Sequence, residues 1–150
     1  MAVVLGMNAK LYRSTGTIGS PTWVEIDTVR DVTLSLETGE ADVTTRAAGG
    51  WRESIATLRD ATLEFEMVVD SGGAHFTALK NAFTAGTSLE FLILDGSNSV
   101  AGSQGLQAEM MIMSFSRNEA LEEALTVSVS AKPTKPTAVT GAAPTWYTAS

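Results

Sequence analysis

A chain of 150 residues with 44% hydrophobic and 18% charged side chains has the size of one compact domain and enough apolar material for a single buried core. The absence of cysteine excludes a disulfide framework, a thiolate metal site and a cysteine nucleophile, and a lone histidine leaves no imidazole set for zinc or iron. A net charge of −7 disfavours tight binding to a phosphate backbone, because that affinity comes from clustered Lys and Arg that release condensed counterions.

The first residues carry only a brief apolar run before Lys10 and Arg13, without the charged start and long apolar stretch of a signal peptide. No window reaches the roughly 18 consecutive apolar residues of a membrane span, so a soluble, unexported protein with no membrane partner is expected. The first strand is read where Val32, Leu34 and Leu36 alternate with Asp31, Thr33, Ser35 and Glu37. Thr38 to Glu53 has no period and reads as a loop, long enough to be functional or mobile.

From Asp60 to Asp70 the alternation is clean: Ala61, Leu63, Phe65, Met67 and Val69 share one face, while Asp60, Thr62, Glu64 and Glu66 share the other. Phe76, Leu79 and Phe83 then recur at helical spacing, with Ser71 available as a cap and Gly86 as a stop, which predicts a helix over about 73–85. Residues 88–94 form a continuous apolar run, and Asp95 to Gly105 reads as a loop. The strand over 106–116 changes phase: Leu106, Ala108, Met110 and Ile112 occupy one parity, then Met113 and Phe115 the other, so it is either bulged or covered on both faces. Ser116 to Ala124 fits a capped helix or a turn. Leu125, Val127 and Val129 alternate with Thr126, Ser128 and Ser130 in a last strand. The organisation expected is a β domain over 1–132 and a Pro-rich extended tail over 133–150, where Pro133, Pro136 and Pro144 oppose incorporation into a central strand.

The usual chemistries find little support. His75, at the start of the predicted helix, suits an exposed or capping position better than a catalytic one. There is no Gly-x-Ser-x-Gly elbow, no phosphate-cradling glycine loop, and only a faint likeness to a calcium loop at Asp95-Gly-Ser-Asn98. Glu64 and Glu66 are two acids on one strand face with no pocket indicated, which fits solvated side chains better than a glycosidase pair. No enzyme activity, metal or cofactor is expected. Trp23, Trp51 and Trp146 lie in or beside loops, so a β-sandwich that stacks sugars on an aromatic platform is an alternative reading.

Taken together, the polar strand faces read Asp31, Thr33, Ser35, Glu37; Asp60, Thr62, Glu64, Glu66; and Thr126, Ser128, Ser130, with no Lys or Arg among them. Ordinary wet sheet faces mix both signs for cross-strand pairing, so an acid-and-hydroxyl face fits either a plain outer surface or the lining of a channel.

The order of these segments resembles the tail tube proteins of long-tailed bacteriophages: Trp23-Val-Glu-Ile, Val29-Arg-Asp-Val-Thr-Leu-Ser-Leu, Ala41-Asp-Val-Thr-Thr-Arg46, Leu63-Glu-Phe-Glu-Met, the Phe76 to Phe83 helix, Phe91-Leu-Ile-Leu, Gly105-Leu-Gln-Ala-Glu-Met and the closing Leu-Thr-Val-Ser-Val. The resemblance spans about residues 5–132. It implies a mainly β fold, a β-sandwich or barrel with one flanking α-helix, assembling into rings with a continuous β-lined channel. It further implies a structural virion protein whose stacked hexameric rings form the conduit for DNA ejection. The expected partners are further copies of the chain, the tape measure, tail-tip initiator and tail terminator proteins, and viral DNA passing through without specific binding. Its place would be the virion tail, with the host cytoplasm as the site of assembly. On this reading Glu40, Asp42, Arg46, Trp51 and Arg52 belong to a loop that reaches an adjacent ring, and Glu37, Asp60, Glu64 and Glu66 are candidates for the lumen. The tube of a contractile injection or secretion system is similar and stands as a further alternative.

Overall fold

The computed structural model describes residues 3, 5–17, 20–70, 72–119, 121–134 and 144–150. Eight strands and one helix follow in the order β1 (Lys10–Ser14), β2 (Trp23–Glu25), β3 (Val29–Asp42), β4 (Ser54–Val68), α1 (Ala74–Ala85), β5 (Ser88–Leu94), β6 (Gln104–Asn118), β7 (Thr126–Pro133) and β8 (Thr145–Thr148). All strand pairs are antiparallel, in one sheet ordered β2-β1-β5-β6-β7-β4-β3. On the side of β6 away from β5, β8 holds Gln104 to Gln107 and β7 holds Met110 to Asn118.

The sheet folds over on itself. β4 and β5 are three strand spacings apart in it, about 14 Å at ~4.8 Å per strand. Yet the rings of Phe65 on β4 and Phe91 on β5 have centroids 6.2 Å apart, so the two ends of the sheet close on one core. Leu11, Leu63, Phe65, Met67, Phe91, Leu106, Met110, Val127 and Val129 are buried there. α1 closes the open side: Leu79 is fully buried, while Phe76 and Phe83 each set their rings 6.0 Å from that of Phe115 on β6. The continuous apolar run of β5 is explained by a second, smaller cluster on its other face. There Tyr12, Leu92 and Leu94 pack with Trp23 and Tyr147, and the Tyr12 hydroxyl accepts the Asn98 amide at 3.0 Å.

Several expectations hold in detail. The helix ends at Gly86 in a left-handed conformation with φ 69°, whose freedom from a Cβ that turn requires. Its N-cap is Gly73 without a side-chain cap; Ser71, the expected cap, lies outside the described residues. The phase change in β6 is a bulge: the register shifts between Ile112 and Ser114, so that Ile112 and Phe115 both face the core. Ser116 to Asn118 end β6, and Leu121–Glu122 form a turn, so the turn alternative is the one realised.

Other expectations need correction. The segment from Thr38 to Glu53 is not all loop, because β3 continues to Asp42 and β4 begins at Ser54, leaving a tip of residues 43–53. Glu40 and Asp42 therefore sit in a strand. Beyond Lys132 the chain is not simply a tail: Pro133 closes β7, and Thr145–Thr148 pairs with β6, which is possible because the edge left beside β7 demands no amide from a proline. β1 was not evident from sequence because Lys-Leu-Tyr-Arg-Ser does not alternate in polarity, its last four residues being buried on both faces.

Candidate functional site: a polar sheet face and a projecting hairpin

Register brings the expected polar residues onto one face of four neighbouring strands. Asp31 on β3, Glu66 on β4, Ser128 on β7 and Ser116 on β6 form one cross-strand row, and Thr33, Glu64, Ser130 and Ser114 form the next. Ser35 lies opposite Thr62, and Glu37 opposite Asp60. The reverse side carries Val32, Phe65, Val129 and Phe115 in one row and Leu34, Leu63, Ala131 and Ile112 in another. Period-two geometry thus puts every acid of these rows on the face away from the core. A shallow groove of about 360 Å³ runs across it, lined by Asp31, Thr33, Glu64, Glu66, Ser114, Ser128 and Ser130.

Two of these rows place like charges directly opposite each other, Asp31 with Glu66 and Glu37 with Asp60. Such pairs destabilise a sheet by a few tenths of a kcal/mol or more, about 0.2–1 by the usual range for cross-strand pairs. One cation offsets the second pair: Lys132 Nζ lies 3.5 Å from Asp60 Oδ2, at the end of the face. Lys132 was not foreseen in this position, although it continues the parity of Ser128 and Ser130. Ser114 and Ser116 were also missed, because the bulge before them reverses which parity is polar.

The four-strand unit has two open edges. β3 pairs only with β4, and β5 covers β6 only as far as Met111, so neither the outer side of β3 nor that side of β6 beyond Met111 has a strand partner among the described residues.

β3 and β4 then run past the core as a two-stranded hairpin. Every residue of β4 from Ser54 to Asp60 is exposed, whereas Ala61, Leu63, Phe65 and Met67 are buried. A register shift between Thr38 and Glu40 lies within this projection, where Gly39 approaches Thr57 so closely that an added Cβ would meet its Oγ1 at 2.5 Å. The tip is closed by a turn of 3-10 helix at Arg46–Ala48 and by Gly49 and Gly50, with φ 64° and 88°. Asp42 Oδ1 accepts the Thr44 amide at 2.9 Å and the Thr44 hydroxyl at 2.5 Å, and these bonds hold the Asp42 carboxyl below its ordinary pKa. The Val43 amide donates to the Glu53 carbonyl at 2.9 Å, and the Glu53 amide to Thr44 Oγ1 at 2.8 Å. This hydrogen-bonded tip displays Trp51 at 79% exposure, with Ile55 and Leu58 exposed behind it.

Arg46, Trp51 and Arg52 are thus together at the tip, with Glu40 and Asp42 on the strand leading to it. Glu37, Asp60, Glu64 and Glu66 share the polar face. The three tryptophans form no common platform: Trp23 packs in the cluster with Tyr147, Trp146 is on the opposite side of β8 from Tyr147, and Trp51 is at the hairpin tip. His75 is half-buried and accepts a hydrogen bond from Arg13 Nε at Nδ1, 3.3 Å away. Burial and then the Arg13 charge lower its pKa. Among the described residues no group of three or more His, Cys, Asp or Glu side chains is placed to hold a metal ion, and no helix is long and apolar enough to cross a membrane.

Solved structures of other proteins share this fold. The tail of an empty gene transfer agent particle, refined with C6 helical symmetry, superposes with a TM-score of 0.75 at 18% identity, covering 97% of this chain and 99% of that one. The SPP1 tail tube gives 0.67 at 16% identity over 87% and 75% of the two chains, and a chain of the anti-feeding prophage baseplate gives 0.63 at 8% identity over 98% and 96%. None of the curated proteins matches the chain. Residues 10–135 match the model of the phage tail tube proteins, and it is to that family that this chain belongs.

Proposed function

We propose that copies of the chain join edge to edge into six-membered rings, and that the rings stack into the tube through which viral DNA leaves. The observation that carries this reading is the four-strand unit β6-β7-β4-β3, polar on one face and unpartnered at both edges. Pairing the outer edge of β3 in one copy with the free length of β6 in the next would satisfy both sets of backbone groups and close a barrel of strands, which leaves no edge for uncontrolled pairing. The C6 symmetry of the gene transfer agent tail supports six copies per turn.

In such a barrel the acid-and-hydroxyl face lines the lumen. Asp31, Glu37, Asp60, Glu64 and Glu66 would repel the phosphate backbone, and a wall that does not adhere lets DNA slide. The opposing carboxylates that cost a monomer stability then have a use. The hairpin tip with Arg46, Trp51 and Arg52 reaches the adjacent ring, Glu40 and Asp42 flanking it. The tape measure inside the growing tube, the initiator at the tail tip and the terminator at its end are the remaining partners, with assembly in the host cytoplasm and residence in the virion tail.

Negative-stain electron microscopy of the concentrated protein tests this, beside an Arg46→Glu/Trp51→Ala double variant. Hollow tubes or stacked rings are expected from the wild type and not from the variant. Protein that stays monomeric even with tail-tip initiator added would overturn the reading. The likeness to the anti-feeding prophage baseplate favours one second reading, the tube of a contractile injection machine, which a sheath co-purifying with native tubes would identify.

A further inference from the structure

We propose that the apolar groove where β3 and β4 leave the core is the socket for the Trp51 tip of a second copy. Within this contact, Arg59 in the socket pairs with Glu53 on the tip. The inference rests on the tube reading and specifies which surfaces meet when rings stack.

The groove has a volume of about 600 Å³; its apolar wall is Leu36, Ala61, Leu106, Pro133, Pro144 and Trp146, and Glu37, Thr38, Arg59 and Asp60 complete the lining. It is mostly apolar yet open to water: Leu36 is 55% exposed and Trp146 57%, the latter held in place by a 3.0 Å bond from its Nε1 to Gln104 Oε1. Apolar walls fixed in this way fit a flat aromatic ring better than a polar chain. The same molecule presents one at the other end of the same hairpin. Trp51 is the most exposed of the three tryptophans, on a tip closed by backbone hydrogen bonds and two left-handed glycines, so little ordering remains to be done on docking.

One copy cannot fill its own socket. Leu36 lies six residues short of the end of β3, which is about 20 Å at ~3.3 Å per residue, and the tip projects away from it. A protrusion and a socket on different parts of one surface make a head-to-tail contact, the kind that propagates from copy to copy and does not close as a pair. Charge agrees with this. Strand alternation puts Arg59 on the same side as Ala61, within the groove, and its guanidinium has no salt bridge among the described residues. Glu53, two residues after Trp51, engages the tip through its backbone and leaves its carboxylate similarly unpaired. Apolar insertion with an ion pair at its rim gives the contact a fixed register.

The chain contains no cysteine, so introduced pairs report contacts without background. Tubes assembled from a Leu36→Cys/Ala47→Cys variant, which keeps Trp51 on the tip, should give a ladder of covalent multimers on mild oxidation. Tubes from either single variant, or from a Thr33→Cys/Ala47→Cys control on the polar face, should not. Independently, Arg59→Glu and Glu53→Arg should each raise the protein concentration needed for polymerisation about tenfold or more, and the double reversal should bring it back to within about threefold of wild type. Tubes that form without the ladder, together with charge reversals that fail to rescue each other, would overturn the socket while leaving the tube reading intact. Wild-type protein that never polymerises would overturn the tube reading and the socket with it. A bridge from Leu36→Cys to Val139→Cys within one chain would give the groove to the chain's own 135–143 segment and likewise overturn the proposal.

Discussion

The two halves of β4 obey different rules. From Ala61 to Val68 the strand alternates buried and open side chains against β3 and β7, with Leu63 fully buried and Glu64 exposed. From Ser54 to Asp60 it keeps its ladder to β3 but has no third strand among the described residues and no buried residue. Two-stranded ribbons are marginal in water on their own. The near half is held by the core behind it, whereas the far half carries exposed Ile55 and Leu58, which nothing among the described residues covers. On the proposed reading, a difference so abrupt within one strand separates residues that fold the subunit from residues that join subunits.

The largest test of that division compares two leucines in the same strand. Leu63→Ala removes a fully buried side chain and should cost about 2–5 kcal/mol in urea unfolding. Leu58→Ala, at 86% exposure, should leave monomer stability within about 0.5 kcal/mol while reducing polymerisation. Comparable losses of monomer stability at both sites would mean that the far half is covered within the chain after all.

Glycines extend the comparison at a smaller scale. Gly86→Ala forces a side chain into the left-handed end of α1, where Phe76, Leu79 and Phe83 hold the helix to the core, and should cost about 1–2 kcal/mol globally. Gly49→Ala imposes a similar strain at the tip, but the tip can fray without unfolding the domain. Its melting temperature should therefore stay near wild type while amide exchange quickens across residues 43–53.

The same division decides what the sequence disclosed. Where one face was buried and the other wet, as in Ala61 to Val68, the pattern of the residues was the pattern of the structure. Ser-Ile-Ala-Thr-Leu-Arg-Asp has no such contrast, because both its faces are exposed in the subunit, and so β4 was read as starting at Asp60. β1 failed for the opposite reason: Arg13 and Ser14 are buried, and polar side chains within a core erase alternation. The phase reversal in β6 was legible, since a bulge changes parity in the residues themselves, but its consequence for Ser114 and Ser116 needed the register. Of the site, the acids and Trp51 were visible as residue types. Lys132 beside Asp60, and the groove under Leu36 and Trp146, depend on strands distant in sequence and could not be read from either segment alone.

Acid should affect the two regions in different ways. Burial and Arg13 lower the pKa of His75, so the folded domain favours the neutral imidazole; the associated stability is complete above the unfolded value and is lost as pH falls toward the folded one. Replacement by Gln, which keeps an acceptor for Arg13, should flatten that part of the stability profile. At the tip, Asp42 is lowered by its bonds to Thr44, so its contribution is present above the ordinary carboxylate range and disappears only as pH falls through the depressed folded value. Both of these groups lose their contribution in acid, but they should report through different observables. Because Asp42 is fully solvent-exposed and anchors a tip that can open alone, its protonation should quicken exchange of the Thr44 amide with little change in global unfolding, and Asp42→Asn, which keeps an acceptor oxygen, should abolish the pH dependence of that exchange. Should Thr44 exchange instead follow global unfolding over the acid range, the tip would be as firmly tied to the core as Leu63, and the separation between folding residues and joining residues would have to be redrawn.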